Sequence, residues 1–288
     1  MKLLRILCLY PLMHVVSAQA IEVAPGDYEQ LPAGTTLGMI YYQHATTDSL
    51  YTNGRKASSD FRLTSDIGIL RLLHVYELSD RLTVDPQFLL PFGRISSSGD
   101  ASPLGDANGL GDLILASAFR YRLNDARDIV ALTPYLYVPT GDYDNNNPLN
   151  IGENRWKFEL QTAYVKHLGE KWAVDMVADA VWYGDNDDYS ESSLNLEQDL
   201  SFGAQLMGRY MPTASTSFGV GIGHNWGGET RINGVQQDDE MDTSYMRLTA
   251  TTFVTAQDQL QVQLGRDLSV EQGTSEDFRI NLRYAHIF

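Results

Sequence analysis

The sequence is poor in cysteine, in basic residues and in long apolar runs, and each shortage excludes a class of protein. Its one cysteine is Cys8, near the start of the chain, so the chain cannot form an internal disulfide. Lysine and arginine number only 21 against 37 aspartate and glutamate residues, a formal net charge of −16. Because nucleic-acid phosphates are bound by clustered basic side chains, we expect no nucleic-acid partner. Beyond residue 20 no segment has the apolar length of a membrane helix, so strands would have to make any contact with a membrane.

Residues 1–20 have the composition of a secretory signal peptide. A basic start and an apolar centre from Ile6 to Val16 precede the small-residue exit Ala18-Gln19-Ala20, which predicts cleavage after Ala20. A transmembrane anchor is the alternative, but the apolar centre is too short for one. We therefore expect a secreted chain that begins near residue 21.

The rest of the sequence alternates apolar and polar residues with the period of two that is typical of strands. The clearest case is WKFELQTAYVKHL, residues 156–168, where Trp156 and Phe158 share one face and Lys157 and Glu159 the other. One such segment is equally typical of a half-buried strand in a soluble sandwich. The same alternation recurs in the segments 111–123, 172–183, 197–210, 218–226, 260–268 and 278–288.

The connections between these segments alternate between short and long, which a sandwich does not require. The short turns are 77–81, 124–128, 168–171, 211–216 and 256–259, and the long loops lie near 45–60, 95–110, 141–155, 184–197, 227–242 and 269–277. This layout gives about twelve strands and both termini on one side, as in outer-membrane barrels with short periplasmic turns and long extracellular loops. We predict an all-β fold, a transmembrane antiparallel up-and-down β-barrel over residues 35–288, in the bacterial outer membrane.

Residues 21–34 hold two prolines and two glycines and are expected to form a short periplasmic segment before the barrel. The alternative is that they fold back into the lumen as a partial plug. The sequence does not decide between the two.

Two features of the chain resemble known proteins. The alternating C-terminal strand with Tyr284 and a terminal Phe288 resembles the assembly signal of outer-membrane barrels, which implies recognition by the barrel-assembly machinery. The stretches GLGDLILASAFRYRL (109–123), LTPYLYVPTGDYD (132–144) and NIGENRWKFELQTAY (150–164) resemble the family named "MetA-pathway of phenol degradation". That resemblance implies a porin-like transporter of Gram-negative bacteria, although the name does not make phenol its substrate.

Charged residues on the polar faces of the predicted strands are candidates for lining the lumen, where they would tune selectivity for a small solute. A static salt-bridge network that plugs the barrel is the alternative. The candidates are Asp112, Arg120, Arg122, Lys157, Glu159, Asp175, Asp179, Asp199, Arg209, Arg247, Arg279 and Arg283.

Many of the acidic residues lie in the long loops, which suggests partnership with outer-membrane lipid and lipopolysaccharide through divalent cations. DYDNNNPLNIGE also places Asp142, Asp144, Asn146 and Glu153 at positions 1, 3, 5 and 12 of a calcium loop. Position 6 is Asn147 instead of glycine. No other cofactor is expected.

Two other functions stay open. An outer-membrane lipid or peptide hydrolase would need a nucleophile and a base, and His224 with nearby loop acids is the one candidate. No G-x-S-x-G motif is present. A structural or adhesive barrel would instead have a plugged lumen and would act through its loops. We expect a channel and no enzymatic activity.

Overall fold

The structure is a computed structural model that describes residues 22–288. The predicted signal peptide, residues 1–20, and its cleavage site lie outside the described residues. Twelve long strands, labelled β1 to β12 in chain order, form the main sheet. They are β1 Thr36–Thr52, β2 Phe61–His74, β3 Leu82–Gly99, β4 Leu113–Arg122, β5 Ile129–Val138, β6 Lys157–Leu168, β7 Trp172–Tyr183, β8 Ser201–Tyr210, β9 Thr216–Gly227, β10 Met241–Phe253, β11 Asp258–Val270 and β12 Gly273–Ile287.

The sheet is a closed antiparallel barrel. Each strand pairs with the next along the chain, and β12 pairs back onto β1 from Leu37 opposite Ile287 to Tyr51 opposite Gly273. The predicted all-β fold and strand number are confirmed. Closure is required in hydrocarbon because an open strand edge would leave backbone N–H and C=O groups unpaired. Among the described residues no helix is long and apolar enough to cross a membrane.

The period-two pattern of the sequence places polar side chains inside the barrel and apolar side chains on its outer face. In β6, Glu159 and Gln161 are fully buried inside, whereas Phe158 is 41% exposed on the outer face. The other strands follow the same rule, with apolar side chains toward lipid and polar side chains inward. Aromatic pairs mark both ends of the outer face, including Phe158 with Trp182 at the loop end and Trp172 with Tyr210 at the end that holds the termini.

Two predicted long loops are instead extended strands. The connection expected over 269–277 is a turn at residues 271–272, and β1 together with the short strand Arg55–Ser58 occupies most of 45–60. Asn53 and Gly54 at that tip both have positive φ, as a two-residue hairpin turn requires. Most residues of these strand ends are polar, with Leu50 and Val270 as buried exceptions, so the alternation disappears although the strand continues.

Shorter strands complete the loop end and the rim. Arg55–Ser58, Tyr76–Ser79 and Ala107–Leu110 pair with barrel strands, and a separate four-stranded sheet rises from the loops after β7 and β9. Its strands are Asn186–Tyr189, Leu194–Gln198, Thr230–Ile232 and Val235–Gln236.

Candidate functional site

The lumen contains most of the charged residues that the sequence nominates. Ten of them are buried inside the barrel, because their strands place every second side chain inward. The ten are Asp112, Arg120, Lys157, Glu159, Asp175, Asp179, Arg209, Arg247, Arg279 and Arg283.

The other two nominated residues lie elsewhere. Asp199 is exposed just before β8 begins, and both of its carboxylate oxygens accept hydrogen bonds from Arg231 in the loop after β9. Its predicted place in the lumen is therefore corrected, since the alternation was extended one step past the barrel wall. Arg122 lies at the rim, where Nη2 donates to the backbone carbonyl of Asp80.

Residues 22–30 lie inside the lumen. The N-terminal segment therefore folds back into the barrel and does not form the expected short periplasmic segment. Pro25 and Gly26 form a turn closed by a 3.1 Å bond from the Asp27 N–H to the Ala24 carbonyl, and Gly26 has φ +91°. A Cβ on Gly26 would lie 2.8 Å from Arg209 Nη1, so the segment passes close to the barrel wall. The Gly26 N–H donates to Asp175 of β7 at 3.0 Å.

Three acidic side chains of this N-terminal segment hold it in the barrel. Asp27 pairs with Arg283 of β12 at 2.6 Å, and Glu22 pairs with Arg247 of β10 at 2.7 Å. Glu29 pairs with Arg209 of β8. These ion pairs reach β8, β10 and β12, and on the opposite wall Arg120 of β4 donates to the Asp27 carbonyl at 3.3 Å. The segment therefore crosses the lumen instead of following one wall.

A second set of contacts is neutral. The Tyr28 hydroxyl donates to Gln161 Oε1 at 2.6 Å and lies 3.1 Å from Thr133 Oγ1. Val23 and Tyr28 also belong to a buried cluster with Ile129 and Val165. The segment is thus a packed plug with its own apolar contacts.

The plug divides the lumen into two cavities. The loop-side cavity has a volume of about 360 Å³ and the cavity on the side of the termini about 290 Å³. Asp27, Arg71 and Arg283 line both, so these three residues mark the level at which the cavities meet.

The loop-side cavity has one apolar and one polar wall. Strands β2 to β4 supply an apolar wall, whereas β1 and β10 to β12 supply amides, hydroxyls and charges. The apolar residues are Leu63, Ile67, Ile69, Leu89, Pro91, Ile95 and Ile114, and the amides are those of Gln43, Gln261, Gln263 and Asn281.

The loop between β5 and β6 folds over this cavity and is tied down by one carboxylate. Asp112 accepts the N–H of Gly141 on Oδ1 and the N–H of Glu153 on Oδ2, each at 2.9 Å. Gly111, Gly141 and Gly152 meet at this knot, where a Cβ on Gly141 would lie 2.7 Å from the backbone of Gly111. The three stretches that carry the family resemblance therefore converge at one point in space.

The predicted calcium loop is not assembled. Glu153 turns inward to Arg155 and Lys157, while Asp144 accepts hydrogen bonds from the backbone and side chain of Asn146. Asp142 accepts the N–H of Leu110. Over residues 22–288 no group of three or more His, Cys, Asp or Glu side chains is placed to hold a metal ion.

His224 lies on the outer face of the barrel near the loop end. Its Nδ1 is 2.9 Å from Ser244 Oγ, its Nε2 is 3.8 Å from Asp242 Oδ1, and its ring stacks on Trp226. Serine, histidine and aspartate thus adjoin one another. Ser244 lies inside β10, which pairs with β9 in unbroken register at this point, while its register with β11 shifts by one residue between Ser244 and Tyr245.

The assembly-signal residues lie at the seam between β12 and β1. The Phe288 N–H donates to the Thr36 carbonyl, and the Tyr284 hydroxyl donates to Asp258 at 2.6 Å. The ring Nδ1 of His286 lies 2.7 Å from the same carboxylate.

Sequence reasoning missed several lumen residues. Asp85 and Gln87 alternate with Val84 and Phe88, a signal that the strand pattern contained. Arg71 gave no such signal, because it shares its inward face with Ile67, Ile69 and Leu73.

Residues 47–284 match the family described as "Putative MetA-pathway of phenol degradation". The crystal structure of an outer-membrane channel from Pseudomonas putida F1 is similar over 93% of this chain and 100% of that chain, with 64% identity and a TM-score of 0.92. None of the curated proteins matches.

Two more distant structures share the fold alone. The CymD monoaromatic hydrocarbon channel is 12% identical with a TM-score of 0.53, over 90% of each chain. The translocator domain of the autotransporter NalP from Neisseria meningitidis is 8% identical with a TM-score of 0.54, over 91% of each chain.

Proposed function

Because this chain belongs to the family of the MetA pathway of phenol degradation, we propose that it admits small apolar and aromatic solutes through its lumen. The protein is an outer-membrane channel, as its 64% identical relative from Pseudomonas putida F1 is. The class of solute that the channel admits is our proposal.

The observation that carries the proposal is the two-sided loop-side cavity. An apolar solute gains from contact with Ile67, Ile69 and Leu89, while the amides of Gln261 and Gln263 keep the opposite wall wetted. A uniformly apolar lumen would hold such a solute too tightly for release, and a uniformly polar one would favour sugars and ions. One wall of each kind suits a solute with both an apolar body and a polar group.

Conductance of the refolded protein in a planar lipid bilayer tests this function. We expect stepwise single-channel currents in NaCl, and current block by benzyl alcohol at concentrations where glucose has little effect. Glucose is the control because it is a small uncharged solute whose surface is dominated by hydroxyl groups. Inserted barrels that carry no current, or that glucose and benzyl alcohol block alike, would contradict the proposal.

We also propose that the barrel is not a hydrolase, although Ser244, His224 and Asp242 adjoin one another. Acyl transfer needs N–H donors for the oxyanion, whereas β10 pairs with β9 in unbroken register through Ser244 and its register with β11 shifts by a single residue only after Ser244. We expect Ser244→Ala to leave any hydrolysis of phospholipid or p-nitrophenyl esters at the background rate of wild type. Ester hydrolysis that this substitution abolishes would overturn the statement.

Bridging of loop carboxylates to lipopolysaccharide by divalent cations, and recognition of the terminal strand by the assembly machinery, stay predictions.

A further inference from the structure

We infer that Arg71 is a solute-binding residue that recognises a carboxylate, so that the channel favours small apolar molecules, aromatic ones above all, that carry a single carboxylate group. This inference rests on the proposed function and specifies its substrate class.

Arg71 has only neutral hydrogen-bond partners. Its Nε donates to Gln87 Oε1 at 2.7 Å and its Nη1 to the Tyr41 hydroxyl at 3.2 Å. Over residues 22–288 no carboxylate oxygen lies within 4.0 Å of this guanidinium, and its Nη2 has no acceptor among these residues. The group is therefore held in position by neutral partners and still has a donor to offer.

The other arginines of the interior are different. Each of the six that are buried pairs with at least one carboxylate: Arg120 with Asp85, Arg155 with Glu153, Arg209 with Asp175, Arg247 with Glu22, Arg279 with Glu276 and Arg283 with Asp27. A charge withdrawn from water is normally compensated by a counter-charge. Arg71 is half-buried with no carboxylate in contact, and the carboxylate that acts on it electrostatically, Asp27, is already paired with Arg283. An anion that enters the lumen therefore finds a cation whose nearest counter-charge is shared.

The surroundings of Arg71 define the rest of the ligand. Ile69 and Ile67 lie two and four residues along β2 on the same inward face, about 3.3 Å per residue along the strand. Ile69 packs against the buried cluster that contains Leu89 and Ile114 of the neighbouring strands. A molecule whose ring lies on this apolar wall would therefore extend a carboxylate toward the guanidinium.

The position of Arg71 along the lumen determines where a carboxylated solute would bind. Arg71 lines both cavities at the level where the plug separates them. A carboxylate can accept two parallel hydrogen bonds from one guanidinium, which is the strongest arrangement that this side chain makes. Arg71 would thus draw a carboxylated solute to the point of passage.

The test compares two blockers that share a ring and differ in charge. Single-channel current is recorded for the full-length mature protein with benzoate, benzyl alcohol and acetate as probes. The variant is Arg71→Gln, and the matched control is Arg62→Gln, which removes an equal charge from the same strand at an exposed position. Heat-modifiable migration on gels and basal conductance establish that each variant forms the barrel.

We expect benzoate to block wild type and Arg62→Gln at concentrations at least about tenfold lower than benzyl alcohol or acetate, and Arg71→Gln to lose that preference. Arg71→Lys, which keeps the charge but loses the paired donors, should retain part of it. Equal block by benzoate and benzyl alcohol in wild type would overturn the inference, and so would a benzoate preference that survives Arg71→Gln. Block by acetate as strong as block by benzoate would overturn the part of the inference that gives the solute an apolar body. In all three cases the channel still conducts, whereas a silent barrel would overturn the proposed function as well.

Discussion

At the residue scale, single carboxylates fasten the turns and loops of this barrel to its wall. Asp128 ends the turn between β4 and β5 and is buried, although the turn around it is exposed. Its carboxylate accepts hydrogen bonds from Lys166 Nζ at 2.6 Å, from the His167 N–H at 2.9 Å and from Asn124 Nδ2 at 2.9 Å. One side chain thus joins the turn to the end of β6.

Stability should therefore depend on Asp128 and on pH. The hydrogen bonds from Lys166 and Asn124 lower the pKa of the Asp128 carboxyl from 3.8 to about 2. A carboxyl whose pKa is lower in the folded state stabilises the fold above the unfolded value, and this contribution is lost as the pH falls from about 4 toward 2. We expect Asp128→Asn to lower the free energy of unfolding by about 1–2 kcal/mol at neutral pH, and by less near pH 2.

Urea unfolding in lipid vesicles, followed by tryptophan fluorescence, measures this difference. Asp125→Asn, an exposed change in the same turn, is the control and should have little effect. A loss of stability for Asp128→Asn that is the same at both pH values would contradict the role of the charge.

At the element scale, the decisive piece is the loop of residues 139–156 between β5 and β6. Its ends converge on Asp112, and its middle covers the loop-side cavity with Asn150 and Ile151. Leu149 anchors it in a buried apolar cluster with Phe61 and Ile95. The loop is therefore part of the lumen wall, and the carboxylate–glycine knot sets how far it reaches inward.

A methyl group at Gly141 should loosen this loop. Its Cβ would lie 2.7–2.8 Å from the backbone of Gly111, Asp112 and Gly152, where no flexible side chain can give way. We expect Gly141→Ala to destabilise the loop by about 1–3 kcal/mol, to increase single-channel current noise and to speed tryptic cleavage after Arg155, which is buried in the native loop.

The control for this change is Gly208→Ala, a substitution in β8 where a Cβ meets nothing within 4 Å. Unchanged noise and unchanged cleavage in Gly141→Ala would show that the knot does not hold the loop.

At the scale of the whole molecule, conduction depends on the plug that the N-terminal segment makes. The plug separates cavities of about 360 and 290 Å³, and it is bound by ion pairs to β8, β10 and β12. A solute that passes from one cavity to the other has to pass the plug at the level of Asp27, Arg71 and Arg283.

Deletion of residues 22–31 behind the signal peptide should raise single-channel conductance severalfold, because the two cavities would become continuous. Asp27→Asn, which removes the charge that pairs with Arg283 and leaves the ion pairs of Glu22 and Glu29 in place, should give a smaller increase. Planar-bilayer recordings in the same salt measure both. A deletion variant with wild-type conductance would mean that the narrowest point lies elsewhere, for example at the 139–156 loop.

The sequence by itself determined the features that depend on local repetition. Alternation with a period of two specifies strands and their two faces, so the barrel class, the twelve strands and ten of the twelve nominated interior positions followed without any contact information. The alternation failed where strands leave the apolar band, as at residues 45–60 and 269–277, and at Asp199, because there no lipid selects the outward residues.

Tertiary structure alone decided which interior residues meet. Asp27 and Arg283 are 256 residues apart, and only barrel closure and strand register bring them within 2.6 Å. The same holds for the plug, whose two outcomes the sequence left open. It also holds for the predicted calcium loop, where Asp144 bonds Asn146 while Asp142 and Glu153 have other partners. Arg71 is the clearest case. Its proposed role depends on the fact that, among the described residues, no carboxylate contacts its guanidinium, and the order of residues along the chain does not show which side chains fail to meet.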